Sequence, residues 1–118
     1  MAHKRQQLGK KGEDIAAQFL IEQGIQIIDR NFHFSRYAEI DLIGMENGEV
    51  VFIEVKTRNN NYSQPEEAVT PAKQDKIRQA AESYILAHPQ LGENFRIDVV
   101  AVNIIDVNDP QIKHWRNI

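Results

Sequence analysis

Asp41, Glu54 and Lys56 are the residues of this chain best suited to chemistry: two carboxylates and an amine on either side of one tight turn. Their segments flank Glu46-Asn47-Gly48-Glu49, and Asn-Gly is the strongest short-range signal for a two-residue hairpin loop. With Asn47 and Gly48 as the loop, Asp41 faces Glu54 and Glu39 faces Lys56. Alternation along the strands puts all four side chains on one face, beside Ile43 and Phe52. Directly opposed residues have Cβ atoms about 4.5–5.5 Å apart, and like charges so placed repel. A hard divalent cation such as Mg²⁺ (or Mn²⁺), which takes a few carboxylate oxygens and keeps several waters, would offset that repulsion. An ordinary solvated face could carry the same charges. Against that, Val50 and Phe52 share the face of Glu54 while Val51, Ile53 and Val55 fill the other. The strand thus reads as buried on both faces at its start and charged only towards its end, where ligand clefts form.

Composition narrows the chemistry. The chain has 118 residues, 42% of them hydrophobic, which suits a single domain over 1–118 with one core. It has no run of apolar residues long enough to span a membrane, and Met1-Ala2-His3-Lys4-Arg5 leads into polar sequence, so a cytoplasmic location is expected. There are no cysteines, and His3, His33, His88 and His114 lack zinc-ligand spacing, so a bound metal would be held mainly through oxygen. The net charge of −3 argues against a general polyanion binder. Its distribution is uneven. Lys4, Arg5, Lys10 and Lys11 make the N-terminus basic, whereas acid is concentrated between Glu13 and Glu54, around the hairpin. A basic arm beside an acidic metal pocket is compatible with a phosphate backbone, and equally with solubility alone.

The elements that must position these groups follow from periodicity. Residues 7–23 read as a helix with Leu8, Gly12, Ala16, Phe19 and Leu20 on one stripe and Gly24 as its stop. Glu13 borders that stripe; it could reach into a cleft over the sheet or simply serve the helix dipole. Strands are expected over 25–34, 38–44 and 49–57. Segment 58–69 is rich in turn formers and reads as a mobile loop beside the site. Thr70-Pro71 caps a helix that carries Ile77, Ala81, Tyr84 and Ile85 inward and stops before Pro89. A central strand over 95–104 and an edge strand over 112–118 complete the order α-β-β-β-α-β-β. The second helix is a crossover that permits a parallel strand pair.

Gly12-Glu13, Glu39-Ile40-Asp41-Leu42-Ile43, Val51-Phe52-Ile53-Glu54-Val55-Lys56-Thr57-Arg58, Pro65-Glu66-Glu67-Ala68-Val69 and Arg96-Ile97-Asp98-Val99-Val100 together resemble the YraN family of small bacterial proteins, across nearly the whole chain. That family is grouped with the restriction-endonuclease-like superfamily, which includes archaeal Holliday-junction resolvases and shares the tRNA-endonuclease-like fold. The resemblance implies an α/β fold with a mixed β-sheet flanked by helices. It implies a metal-dependent nuclease acting on nucleic acid, DNA above all, with branched or damaged DNA as the expected substrate. Asp41, Glu54 and the Val55 carbonyl would hold the metal, and Lys56 would orient or help deprotonate the attacking water. Glu13 and Glu39 are accessory acids, and Arg58 and Lys73 are expected to contact substrate. A resolvase role would require a homodimer. One departure is Ala38, where relatives carry Gly. The alternative is a non-catalytic nucleic-acid-binding or adaptor protein that retains the nuclease-like fold.

Overall fold

Asn47 and Gly48 take positive φ angles of 52° and 79°, the pairing a type I′ turn demands, and this turn fixes the central hairpin. The computed structural model describes residues 2–36, 38–60 and 69–118, with side chains from residue 7 onward. Its elements are α1 (Ala2–Glu22), β1 (Gln26–Ser35), β2 (Ala38–Glu46), β3 (Glu49–Arg58), α2 (Pro71–Ala87), β4 (Phe95–Asn103) and β5 (Gln111–Trp115), with a short 3-10 turn at Pro89–Leu91. The order is the expected α-β-β-β-α-β-β. Most of the expected 58–69 loop lies outside the described residues.

The strands form one five-stranded sheet in the order β1-β2-β3-β4-β5. Only the β3–β4 pair is parallel, and α2 is the crossover between them. The helices lie on opposite faces. Ala16, Ala17 and Leu20 of α1 pack with Leu42, Val51, Ile53, Val100 and Val102. Ile77, Ala80, Ala81 and Tyr84 of α2 pack with Ile43, Val50, Phe52 and Ile97. With both faces covered, β3 and β4 are apolar on both sides, as parallel strands must be.

Each helix has a local reason for its bounds. Thr70 Oγ1 accepts a hydrogen bond from the Lys73 N–H (3.2 Å), and Pro71 opens α2 where no N–H is needed. Helix α1 starts earlier than its apolar stripe suggests, at Ala2. Gly12 lets α1 lie almost on β3: a Cβ there would come within 1.7 Å of Thr57 Oγ1. The last strand is Gln111–Trp115, shorter at its end than the expected 112–118. There Asn117 has a positive φ of 53°, and the Ile118 N–H donates to the Ile97 carbonyl (2.9 Å). No helix among the described residues is long and apolar enough to cross a membrane.

Candidate metal and phosphate site

The β2–β3 ladder keeps the register set by the turn, from Glu46↔Glu49 to Leu42↔Ile53. Continued regularly, it would next join the Val55 N–H to the carbonyl of Ile40. Instead, that N–H donates to Asp41 Oδ2 at 2.7 Å. A side-chain carboxylate has replaced a backbone carbonyl, and the two strands part there. Alternation fails at the same point: Ile40 and Ile43, three residues apart, both pack in the α2-side core. The partner strand shows a matching irregularity. Asn31, between the Arg30↔Leu42 and Phe32↔Ile40 pairs, takes a left-handed φ of 54°, which Asn tolerates better than most residues.

Glu54 sits at the notch this opens. It is only 6% exposed, points to the α2 side and accepts two amines at one oxygen. Lys73 Nζ from the first turn of α2 is 2.8 Å from Oε1, and Lys56 Nζ is 3.3 Å from it. Lys56 therefore pairs with Glu54, and the expected partnership of Glu39 with Lys56 is not formed. Glu39 lies instead 3.9 Å from His33 Nε2. With the Asn31 amide oriented to satisfy both neighbours, its nitrogen donates to Glu13 Oε1 (3.0 Å) and Glu39 Oε1 (3.2 Å). Glu13 stands mid-helix in α1, whose first turn carries no acid, so the helix dipole does not account for it. A cleft of about 280 Å³ runs past Asp41, Glu54 and Lys73 to Glu39, His33 and Arg36. Arg58 ends β3, where its carbonyl accepts from the Ile104 N–H (2.9 Å), and its side chain is half-buried. Ala38 is buried against the α2-side core.

The electrostatics are unusual for so small a cleft. Burial, and then the Glu54 charge, push Asp41 up to about 8, against the bond from Val55 that favours ionisation. Glu13 is raised too, by burial and by Glu39. Burial and the neighbouring Lys73 depress Lys56 below the usual lysine range. Burial also works against Lys73, but its contacts with Glu54 and Lys56 outweigh it and raise its pKa. Among the described residues, no three His, Asp or Glu side chains are grouped closely enough to hold a metal by themselves. Mg²⁺ does not need three, since it binds through one or two carboxylates and keeps its waters. Because the N–H and C=O of one strand residue point to the same side, the Val55 carbonyl faces the β2 side of β3, as its N–H does. The donors are all hard oxygens, and they fit such an ion.

The sheet, its helical cover and the notch define a small α/β protein with a paired-carboxylate cleft between its central strands. The chain belongs to the family described as "Uncharacterised protein family UPF0102", whose profile matches residues 12–102. It is 47% identical over 118 residues to a UPF0102 protein of Rhodococcus opacus, covering 99% of this chain and 98% of the relative. A UPF0102 protein of Geobacter sulfurreducens is 40% identical over 117 residues, with 98% and 91% covered. One from Chloroherpeton thalassium is 50% identical over 95 residues, with 80% and 73% covered. The family expected from the motifs is the one found.

Proposed function

We propose that this protein is a Mg²⁺- or Mn²⁺-dependent phosphodiesterase acting on nucleic acid. The observation that carries the proposal is the seating of Asp41: its carboxylate caps the Val55 N–H where the β2–β3 ladder stops, beside buried Glu54, and in that company it loses its charge. Two carboxylates held so close at a cost to ionisation are explained by a cation between them. Asp41, Glu54 and the Val55 carbonyl would hold it. When bound, such an ion supplies Lewis-acid polarisation of a phosphoryl oxygen and an acidified water. Lys56, with its lowered pKa, is suited to accept a proton from a water at the cleft, or to stabilise charge on the phosphate once protonated. Glu13 and Glu39, bridged by Asn31, form the acidic wall towards α1. Arg36 and Lys73 on the cleft, with Arg58 at the end of β3, are cations that would contact a phosphate backbone. DNA with branches or nicks is the first substrate to try, and the two cuts of a resolvase would need a dimer.

One feature favours a second reading, nucleic-acid binding without turnover. Glu54 already has two amines on it and is satisfied without a metal. Cleavage of branched and nicked DNA by the wild type, compared with Asp41→Ala, Glu54→Ala and Lys56→Ala, decides between them. Turnover that requires Mg²⁺ and falls at least about a hundredfold in each variant is the expected result. Equal cleavage in all four proteins would contradict it, and salt-sensitive binding with no cleavage would establish the second reading.

A further inference from the structure

Lys73 is the odd member of this site. The other close groups sit on the central hairpin, whereas Lys73 comes from the opening turn of α2, three residues after the Thr70 cap. A helix N-terminus disfavours a cation and favours an anion. The position is therefore poor for an ammonium group unless a carboxylate holds it there, and Glu54 does so at 2.8 Å. The contact is closer than that of Lys56 on the same oxygen, yet Lys73 is the freer of the two, with a side chain 38% exposed against 24%. It lines the open cleft, and its long stem can swing the amine away without disturbing the core. A divalent ion seeking Glu54 would meet this ammonium at the oxygen it needs, and two cations cannot share that position.

The geometry points to Lys73 as a displaceable internal cation: it holds Glu54 until a divalent ion takes the carboxylate, and it is then released into the cleft beside the α2 N-terminus, where it meets an anionic phosphate. This rests on the metal-site reading of Asp41 and Glu54 and adds the order of events, since occupation by metal frees the lysine. Lys73 is thus a positioning residue coupled to metal occupancy, rather than a passive surface contact for substrate.

Calorimetric titration of the full chain with Mn²⁺ tests it. Lys73→Met, which removes the competitor, is expected to bind Mn²⁺ about tenfold more tightly than wild type, a coupling of ordinary size, and Lys73→Arg to stay near wild type. A second measurement needs no variant: acetylation of Lys73 in the wild type, followed residue by residue by mass spectrometry, should quicken when Mn²⁺ is added. A static salt bridge would move neither reading. Mn²⁺ binding to wild type and Lys73→Met with equal affinity, or acetylation of Lys73 indifferent to bound Mn²⁺, would overturn the inference and leave the metal site standing. Failure of Mn²⁺ to bind either protein would remove the metal site, and this inference with it.

Discussion

The raised pKa of Asp41 has a consequence of definite sign. In the unfolded chain its carboxyl ionises near 3.8, whereas in the fold it holds its proton up to about 8. Between those values the native state binds a proton that the unfolded state has lost, so stability falls as pH rises across that window. Asn at this position keeps an oxygen for the Val55 N–H and has nothing to ionise. Asp41→Asn should therefore match wild type in Tm near the acid end of the window and exceed it increasingly towards the alkaline end. A Tm difference that does not change with pH would contradict this seating. The nearness of Asp41 to Glu54 was legible in the sequence because Asn47-Gly48 leaves the hairpin one register, although the ladder stops at Leu42↔Ile53, one pair short of facing them. Asn31 was not: its role depends on a left-handed kink in β1 and on the approach of α1, and the only local hint is an Asn inside a strand run. Lys73 was expected from the sequence as a substrate contact, but its hold on Glu54 depends on where α2 lands.

At the scale of elements, the cleft exists because β2 and β3 part while α1 and α2 clamp the sheet on either side. The order of the seven elements followed from periodicity and punctuation: Gly24 ending α1, Thr70-Pro71 opening α2, and a crossover that permits the parallel pair found between β3 and β4. The break in the ladder at Asp41 did not follow, because a regular register and a side chain replacing a carbonyl are written with the same residues. The approach of α1 makes a second prediction. A Cβ at Gly12 would lie 1.7–2.7 Å from three Thr57 side-chain atoms, one of them the Cβ, which no rotamer change can move. Gly12→Ala should push α1 off β3 and destabilise the fold by roughly 1–3 kcal/mol, measured by urea unfolding. It should also weaken Mn²⁺ binding, since Thr57 adjoins Lys56. An unperturbed Gly12→Ala protein would show that the helix has room to spare.

Across the whole molecule, the two ends of the central strands have different duties. At the start of β4, Arg96 donates to Glu46 (2.7 Å), Glu49 (3.0 Å) and Asp98 (3.0 Å), while Asp98, wholly buried, also pairs with His114 (2.8 Å) and the Asn117 N–H (2.9 Å). Burial works to raise Asp98, but its bonds with His114 and Arg96 hold it below the usual carboxylate range. This network ties the hairpin turn to the last strand and is saturated from within. Towards the other end of β3, Asp41 and Glu54 border the open cleft, on the β2 side of the sheet and under the first turn of α2. Arg96→Leu should therefore cost about 3–5 kcal/mol of stability by leaving Asp98 buried with too few partners, while Mn²⁺ affinity stays as in wild type. Loss of Mn²⁺ binding in a folded Arg96→Leu protein would contradict that division. The proposed phosphodiesterase needs a divalent ion between Asp41 and Glu54, and calorimetric titration with Mn²⁺ above the Asp41 transition tests this most directly. Saturable binding by the wild type, weakening as pH drops and lost in Asp41→Ala and Glu54→Ala, is the predicted result; no binding by the wild type, or the same binding by all three proteins, would contradict it.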